Sequence, residues 1–582
     1  NGVTVHHRDE LDTIQRQFRE IKGCTAIIYD QTCATEKRRR RKRGKLATPD
    51  KTVVINELVC EGCGDCSVQS NCLSVEPVET EFGRKRRINQ STCNKDYSCV
   101  KGFCPSFVTV EGGQLKKPKK DKKGDLSALP NIPEPVLPVA DVAWGIVVAG
   151  VGGTGVITIG SLLGMAAHLE GKGVITQDAA GLAQKGGATW SHIQIANRPD
   201  AIYTTKVDTA KADLVIGCDA IVAANKATLA VLQPGRTFVA LNTHRTPTAS
   251  FVNNPNWQFP DAHCDTAITS ALGEGSVGSF DAEQVATQLL GDSIYTNPLL
   301  LGYAWQKGRV PLTLASLMRA MELNGVQVEN NKAAFEWGRR CAHDLPAVQA
   351  LFQAAQVIQF VKKPALADMI AKRVDFLTGY QNAAYAADYQ AFVQKVQAAE
   401  AQLGTTTRLT EAVARYLFKL MAYKDEYEVA RLHTDPAFTQ KLADMFEGDY
   451  RVVHHMAPPL TAQRNDKGEL VKKPYGPWMR NAFGLLAKMK GLRGTAFDIF
   501  GKTEERRTER ALIVEYRACI DELLAGLTAD KLALAVEIAR IPEDIRGYGH
   551  VKERHLKAAR AKWNGLMAQW RSPGAPAQRQ AA

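Results

Sequence analysis

The sequence lacks a long unbroken hydrophobic run and a recognisable targeting segment. The uncharged run of residues 145–169 contains seven glycines, which suits a strand, a glycine turn and a buried helix better than a membrane span. With 45% hydrophobic and 23% charged residues, the composition is that of a globular protein. We therefore expect a cytoplasmic protein without membrane segments, and 582 residues allow three or four domains.

Aromatic residues are also scarce, at 7% of the chain, and the basic runs have few of them. The net charge is +13, and residues 1–125 supply +8 of it, with 25 basic against 17 acidic side chains. The excess lies in three runs, at residues 37–43, 84–87 and 116–123. Solvated linkers are the first interpretation, and a docking surface for an acidic redox partner is the second. A nucleic-acid surface ranks last because no groove-binding motif is present.

Cysteine, in contrast, is concentrated in one stretch, where seven of the 13 cysteines lie between Cys60 and Cys104. The two runs read Cys60-x2-Cys63-x2-Cys66-x5-Cys72 and Cys93-x5-Cys99-x4-Cys104-Pro105. Such spacing brings successive thiolates onto one iron–sulfur cube, and bacterial two-cluster ferredoxins carry two such runs. In the second run the middle ligand is replaced by Asp96, because that part reads Cys93-x2-Asp96-x2-Cys99.

The expected ligand sets follow from the crossover in two-cluster ferredoxins, where the fourth cysteine of each run binds the other cluster. The first cluster would take Cys60, Cys63, Cys66 and Cys104. The second would take Cys72, Cys93, Cys99 and, as a hypothesis, Asp96. A carboxylate oxygen is a harder and more exchangeable ligand than a thiolate, so the iron at Asp96 would leave more easily, giving a three-iron cluster.

Two other interpretations of the cysteines stay open. Structural zinc commonly uses two Cys-x2-Cys pairs, but the second half of the stretch has no such pair. A disulfide framework needs an oxidising compartment and is usual in small secreted domains, whereas this chain is long and shows no signal peptide.

A second motif follows the Lys- and Pro-rich stretch of residues 113–141, which is typical of an extended linker. An apolar strand, Trp144–Ala149, leads into Gly150-Val-Gly152-Gly153-Thr154-Gly155, which opens a helix through Leu169. Alternating strands and helices then predict a parallel, helix-covered sheet. The glycine loop suits a phosphate at a helix N-terminus, with Asp178 as the ribose-binding acid of a dinucleotide site. A tight turn without a nucleotide is the alternative.

The ends of the chain give coarser predictions. Residues 1–35 read as a strand, a helix over 10–21 and a second strand over 25–30, so the chain is expected to begin inside a domain. Beyond residue 345 the sequence is almost entirely helical, with breaks at 456–478 and 541–552 that are either connections or site loops. His454 and His455 are disfavoured as a metal pair, because adjacent side chains point in different directions. The other six cysteines default to buried thiols.

The chain as a whole resembles the fused indolepyruvate ferredoxin oxidoreductases of the 2-oxoacid:ferredoxin oxidoreductase superfamily. The resemblance is carried by four segments: 27–34, the cysteine stretch, the loop 150–155, and Gly181-Leu-Ala-Gln-Lys-Gly-Gly-Ala-Thr189. It implies a multidomain α/β protein with a two-cluster ferredoxin-like α+β domain, a Rossmann-like parallel α/β domain and a mostly α-helical C-terminal domain. The implied domains are the tail of a thiamine diphosphate domain (1–45), a ferredoxin-type domain (50–112), a linker (113–141), a γ-type domain (142–345) and a helical domain (346–582).

The implied reaction is oxidative decarboxylation of an aryl 2-oxoacid to its acyl-CoA, with two electrons passed singly to ferredoxin. It implies two [4Fe–4S] clusters, and coenzyme A with its phosphate on Gly150, Gly152, Gly153, Thr154 and Gly155. No Gly-Asp-Gly to Asn motif for thiamine diphosphate is present, so that cofactor and its Mg belong to an N-terminal portion or partner chain of a homo-oligomeric enzyme. The rival function is an NAD(P)-linked iron–sulfur oxidoreductase. From another class, a zinc-bearing nucleic-acid module would bind DNA in a salt-dependent way.

Overall fold

The computed structural model describes residues 3–116, 126, 129–180, 187–273, 275–353, 365–404, 406–458, 462–464 and 468–572. The chain divides into two compact units. The first comprises Asn1–Pro49 with Asn94–Asp96, and the second comprises Asp50–Cys93 with Tyr97–Ala582. No helix in the described ranges is both long and apolar enough to cross a membrane.

The N-terminal unit contains two helices, Leu11–Arg19 and Ala34–Lys42. The two strands expected at residues 1–9 and 25–30 are wrong, because the described part of this unit forms no strand ladder. The basic run also differs from the linker we expected at 37–43. Glu36 forms ion pairs with Arg39 and Arg40, three and four residues on, and such pairs stabilise a helix.

In the second unit, the cysteine stretch is built on a four-stranded antiparallel sheet. Its strand order is Lys51–Ile55, Phe107–Glu111, Arg451–Met456 and Lys473–Tyr475. The first two strands pair from Lys51 opposite Glu111 to Ile55 opposite Phe107, as expected for strands that flank a ferredoxin-like stretch. The other two come from the C-terminal part of the chain, so residues more than 300 positions apart share one sheet.

The expected hairpin between the cysteine runs is present as Val75–Thr80 and Gly83–Ile88. A short ladder pairs Gln114–Leu115 with Phe446–Glu447. The helix Asp65–Ser70 follows the first three cysteines. These small elements frame the candidate site.

The glycine motif lies on a six-stranded sheet, which is mixed and not parallel as we expected. Its order is Val277–Phe280, Phe238–Asn242, Leu214–Gly217, Trp144–Val151, Ala188–Ala196 and Gly173–Ala180. The strand Ala188–Ala196 runs antiparallel to both neighbours. Only seven residues join it to the preceding strand, and a parallel crossover needs a dozen or more, so the chain must turn back.

Helices cover both faces of this sheet. Ile146, Val148 and Ile216 face a core with Val156–Leu169 and Thr296–Gln306. Val147, Val215 and Val239 face the opposite core, against Ala220–Ala223 and Asp261–Leu272. Residues 219–232 read as one helix from the sequence, but the structure has two short ones, because the Asn225 side chain caps a new helix by accepting from the Ala227 amide. The remaining helices near this sheet are Lys226–Leu229, Ala249–Asn253, Ala282–Leu290, Leu314–Asn324 and Val328–His343.

The C-terminal part is mostly helical, as predicted, apart from the strands it lends to the smaller sheets. A separate hydrophobic core holds its long helices together. Its helices are Leu345–Gln353, Leu366–Tyr380, Ala383–Ala401, Arg408–Met421, Glu426–His433, Pro436–Met445, Met479–Lys488, Glu504–Ala525, Leu532–Ala539 and Gly549–Arg571.

Candidate functional site

The first cysteine run contains a tight turn that requires glycine at two positions. Gly62 and Gly64 have φ of 65° and 82°, in the left-handed region that glycine adopts without strain. A Cβ on Gly62 would lie 2.3 Å from the Arg84 carbonyl oxygen, so the turn presses against the hairpin. The Asp65 carboxylate accepts from the Phe103 amide at 2.6 Å, which ties the first run to the end of the second. The turn thus brings Cys104 toward the first three cysteines.

Four thiols, those of Cys60, Cys63, Cys66 and Cys104, lie in one another's electrostatic field. Burial raises the pKa of the Cys63 thiol well above its ordinary value, and Cys104, Cys66 and Cys60 raise it further. Burial together with Cys104 and Cys60 does the same for Cys66. Burial and Cys60 also raise the pKa of Cys104, against the opposing charge of Lys472. These are the four residues expected to hold the first cluster, and we call them the first cysteine group.

The donor chemistry of this group fits a soft, thiophilic metal centre. Isolated thiols with raised pKa values stay protonated, whereas a bound cation favours thiolates. Arg86 is buried beside Cys60, Cys66 and Cys63, and its Nε–H has no hydrogen-bond acceptor, so a thiolate or sulfide would satisfy it. Within the described ranges, however, no three His, Cys, Asp or Glu side chains are arranged to hold a metal ion as they stand. The fit therefore rests on donor type, burial and charge and not on ligand geometry.

The C-terminal helical region holds the backbone around the first cysteine group. Lys424 donates to the carbonyl oxygens of Val59 at 3.1 Å and Cys60 at 3.3 Å, and the Tyr548 hydroxyl donates to the same Val59 oxygen at 2.6 Å. Lys472 donates to the Cys104 carbonyl at 3.1 Å. Because each of these carbonyls belongs to a cysteine or its neighbour, the helical region fixes both ends of the group.

The next residues extend this support. His433 Nε2 lies 2.8 Å from the Pro105 carbonyl oxygen, directly after Cys104. Burial lowers the pKa of His433 to about 3, so the ring is neutral near pH 7 and Nε2–H is the donor. A Cβ on Gly547 would lie 3.4 Å from the Cys63 Cβ, so the loop at 541–552 packs against a cysteine. The loop therefore lies beside the first cysteine group, and its role as a site loop stays a prediction.

Three lysines lie around the Glu61 carboxylate next to Cys60, of which Lys85 is buried and Lys424 and Lys419 are partly buried. Glu61 forms an ion pair with Lys424 at 2.6 Å. Burial alone would raise the pKa of Glu61. The charges of Lys424, Lys85 and Lys419 nevertheless hold this pKa far below its usual range. Burial lowers the pKa of Lys85 to about 8 and that of Lys419 to about 7. Such an excess of positive charge suits a neighbour that carries net negative charge, as a thiolate-bound cluster does.

One of the three cysteines expected at the second cluster is buried, as against two of the four in the first group. Cys99 is buried in the same hydrophobic cluster as Cys60 and Cys66, with Cys72 packed against that cluster, whereas Cys72 and Cys93 are each partly exposed. The Cys93 amide donates to the Asn89 carbonyl at 3.0 Å.

Asp96, the proposed fourth ligand, belongs with Asn94 and Lys95 to the N-terminal unit. In that unit it lines a cleft of about 580 Å³ together with His6, Tyr29 and Arg41. Arg41 donates to the Asn94 carbonyl at 2.7 Å, and Lys95 donates to the Pro49 carbonyl at 3.2 Å. Ligation of a cluster by Asp96 stays a prediction.

Several groups of the glycine loop, residues 150–155, already pack or form hydrogen bonds within the protein. A Cβ on Gly150 would lie 2.9 Å from the side chains of both Cys218 and Val156, so this glycine is needed for packing. The Gly152 amide donates to the Gly187 carbonyl at 2.8 Å, and the Thr154 hydroxyl donates to the Val151 carbonyl at 2.7 Å.

Gly153 and Gly155 have φ of 84° and 105°, and Gly155 caps the helix Val156–Leu169. The helix N-terminus and these two glycines therefore remain the part of the motif best placed for an anion. Asp178 lies near the end of the strand Gly173–Ala180 and is exposed. The second glycine-rich loop lies largely outside the described residues, at 181–186.

The hairpin between the cysteine runs contacts the six-stranded sheet's own loops. Arg84 donates to the Trp257 carbonyl at 2.7 Å, and Arg86 donates to the Pro255 carbonyl at 3.1 Å. At the end of the strand Phe238–Asn242, Asp281 and Glu283 raise the pKa of His244 to about 9 in spite of its burial. These contacts fix the cysteine site relative to the carboxyl edge of the sheet.

Sequence reasoning missed the supporting residues Lys424, His433, Lys472 and Tyr548. Only one signal was available, namely that the breaks at 456–478 and 541–552 combine Gly, Pro, aromatic and basic residues. Lys472 and Tyr548 lie in those breaks. The other two lie in or beside ordinary helical sequence, where nothing in the local pattern distinguishes them.

Two family models match separate parts of the chain, both of them after the cysteine stretch. A family model described as "Pyruvate ferredoxin/flavodoxin oxidoreductase" matches residues 145–341, and one described as "Family of unknown function (DUF6537)" matches residues 366–565. Indolepyruvate oxidoreductase subunit IorB of Methanothermobacter thermautotrophicus is 30% identical over 183 residues, which are 31% of this chain and 87% of that protein.

The protein of the same name from Pyrococcus horikoshii is 27% identical over 204 residues, 35% of this chain and 97% of its own length. Among solved structures, the pyruvate oxidoreductase subunit PORC of Thermotoga maritima is 18% identical, with a TM-score of 0.25 over 34% of this chain and 96% of that one. These relatives thus span about a third of the chain.

Proposed function

Since this chain belongs to the 2-oxoacid:ferredoxin oxidoreductase family, we propose that it is the electron-relay and γ-type part of an indolepyruvate oxidoreductase. The enzyme oxidatively decarboxylates an aryl 2-oxoacid, forms its acyl-CoA, and passes two electrons singly to ferredoxin. The relatives named indolepyruvate oxidoreductase subunit support this substrate class. The six-stranded mixed sheet, residues 142–345, is the γ-type domain of the proposal.

The observation that carries the proposal is the mutual placement of the first cysteine group among buried cations. Cys60, Cys63, Cys66 and Cys104 would hold one [4Fe–4S] cluster, and Cys72, Cys93, Cys99 and Asp96 would hold the second. When bound, such clusters accept and release single electrons. The protein's own part is to exclude water from the group, to satisfy its carbonyls through Lys424 and Lys472, and to offset its negative charge through Arg86.

Coenzyme A and thiamine diphosphate are the other implied cofactors. For coenzyme A, we assign the phosphate to the loop 150–155, with the amides at Gly153 and Gly155 as the primary contacts. The engaged groups of Gly152 and Thr154 would then hold the loop in shape. Thiamine diphosphate with Mg supplies the carbanion chemistry when bound, and its site lies in the N-terminal portion or a partner chain.

Metal analysis of the anaerobically purified chain tests the proposal. We expect about eight iron and eight sulfide per chain, with a brown colour that dithionite bleaches. Cys63→Ala should lose about half of the iron. Cys218→Ala is the control, because Cys218 is a buried thiol outside the cysteine stretch, directly after a strand of the larger sheet.

Three results would contradict the proposal. Stoichiometric zinc without iron would favour a structural metal module. Reduction of the clusters by NADH or NADPH with this chain alone would favour an NAD(P)-linked enzyme. Equal loss of iron from Cys63→Ala and Cys218→Ala would remove the first cysteine group as the ligand set.

A further inference from the structure

The segment 471–502 combines exposed apolar side chains with a strong excess of positive charge. It contains seven basic residues and one acidic residue. The single acid, Asp498, is buried and accepts from the amides of Gly494 and Gly501. Arg493 is likewise buried and is paired with Asp425. The other basic side chains, including Lys473, Arg480, Lys488 and Lys502, leave the surface of this segment positive.

The apolar side chains form a face on the helix Met479–Lys488. Trp478, Leu485 and Met489 are spaced by seven and four residues, which places them on one side of a helix. They are 60%, 66% and 40% exposed, whereas Met479 and Phe483 on the other side are buried. Phe497 and Ile499, a few residues on, are also exposed. We call Trp478, Leu485 and Met489 the Trp478 face.

This face is connected to the first cysteine group by a short stretch of chain. Lys473–Tyr475 is the edge strand of the sheet that carries the cysteine stretch. Lys472, the residue before it, donates to the carbonyl of Cys104 at 3.1 Å. Tyr475 lies with its ring centroid 6.1 Å from that of Trp478. A partner bound at the Trp478 face would thus lie beside the strand Lys473–Tyr475, and the residue before that strand contacts Cys104.

We propose that the Trp478 face, together with the exposed Lys473 and Lys488 of the same segment, is the docking surface for an acidic iron–sulfur electron carrier. This rests on the proposed function and names where its electron acceptor binds. An exposed apolar face in a segment with excess positive charge suits a small acidic protein, because the charges speed encounter and orient it while the aromatic side chain holds it. The proposal also assigns a role to part of the helical region, whose family model carries no function.

Stopped-flow electron transfer tests the surface. The full chain, with its clusters reduced by dithionite and the excess removed, is mixed with an oxidised acidic two-cluster ferredoxin or with benzyl viologen. We expect Lys473→Glu/Lys488→Glu to slow ferredoxin reduction about tenfold at low ionic strength, and the difference to shrink at 0.5 M salt. Trp478→Ala/Leu485→Ser should weaken ferredoxin binding about tenfold at either ionic strength. Transfer to the viologen, which needs no docking surface, should not change.

Matched controls come from distant surfaces. Val514→Ser removes an equally exposed apolar side chain from the helix Glu504–Ala525, and Lys226→Glu reverses an exposed charge beside the larger sheet. Neither should alter transfer to ferredoxin. An equal effect of the controls and the Trp478-face variants would overturn the proposal.

Other outcomes also decide the question. Unchanged ferredoxin kinetics in both double variants would overturn the docking surface. It would also be overturned if light scattering shows that the wild type is a dimer and that these variants are monomers. Parallel loss of viologen transfer and iron would assign the face to cluster stability, which also overturns docking. A wild-type chain without iron would instead refute the proposed function. Calorimetric titration with the same ferredoxin would then test binding at the Trp478 face independently of the clusters.

Discussion

The first cysteine group is held by residues far along the chain, whereas the loop of the second run is held by residues nearby. Lys424 reaches the Cys60 carbonyl across 364 positions, and Lys472 reaches the Cys104 carbonyl across 368. In the second run, Arg41 reaches the Asn94 carbonyl across 53 positions, and the Tyr97 hydroxyl reaches the Lys51 carbonyl across 46. The two groups therefore depend on different parts of the chain.

This difference indicates how the site is assembled. A contact across several hundred residues forms only when the intervening elements have folded, whereas a contact across about 50 residues closes a short loop at lower entropic cost. We infer that the first group is completed by docking of the helical region, and we compare it with the second group, the expected ligands Cys72, Cys93, Cys99 and Asp96. Variants that act on one group and not on the other test this difference.

The largest effect is expected from removing one thiol of each group. Cys66→Ser should lose about four iron and also lower the free energy of unfolding, because Cys66 is buried in the apolar cluster around Phe107. Cys93→Ser should lose a similar amount of iron with a smaller loss of stability, since Cys93 is partly exposed. Iron analysis and chemical denaturation measure both. An equal loss of unfolding free energy in Cys66→Ser and Cys93→Ser would contradict the proposed difference between the groups.

The next effect concerns the buried ion pair beside Cys60. Lys424→Met leaves the Glu61 carboxylate buried without its closest cation and removes two hydrogen bonds to carbonyls. We expect a loss of about 3 kcal/mol at pH 7 by urea denaturation. The control is Arg571→Met, which removes an exposed pair with Glu522 and should cost much less than Lys424→Met.

The pH dependence of that pair has a definite sign. The cations hold the pKa of Glu61 below its unfolded value, so the wild type gains stability above about pH 4.3 and loses it as the pH falls through the folded pKa. In Lys424→Met the buried carboxyl can take up a proton at higher pH. The difference in free energy of unfolding between the wild type and Lys424→Met should therefore decrease from pH 7 to pH 5. A difference that stays constant with pH would show that Lys424 acts through its carbonyl contacts alone.

Much of this arrangement is readable from the sequence, because its signals are local. The Cys-x2-Cys spacing predicts the first run, and an apolar run followed by glycines predicts the strand Trp144–Val151 and its helix. The strand Arg451–Met456 could not be placed, since its pattern does not show that it pairs with Phe107–Glu111. The same holds for Lys472, whose contact with Cys104 depends on that pairing. Propensity describes an element, and its partner is set by tertiary packing.

A smaller effect compares two tyrosines that each donate to a backbone carbonyl. Tyr548→Phe removes a buried bond to Val59 and should cost about 1 kcal/mol, because that carbonyl keeps only Lys424 as a side-chain donor. Tyr97→Phe removes the bond to Lys51 on a partly exposed side chain and should cost about 0.5 kcal/mol. Denaturation of the two variants side by side measures the difference. The reverse order would mean that the helical region adds little to the first group.

The smallest change is expected at Asp96. If its carboxylate binds iron, Asp96→Ala should lower the iron content by about one atom and give the spectrum of a three-iron cluster, because one position lacks a ligand. Asp96→Cys should restore that iron and make it harder to remove with a chelator, since a thiolate is the softer ligand. Asn94→Ala is the control, because Asn94 shares the loop but offers no carboxylate. If neither Asp96 variant changes iron content or spectrum, Asp96 is not a ligand, and the second group differs from the first in its ligands as well as in its support.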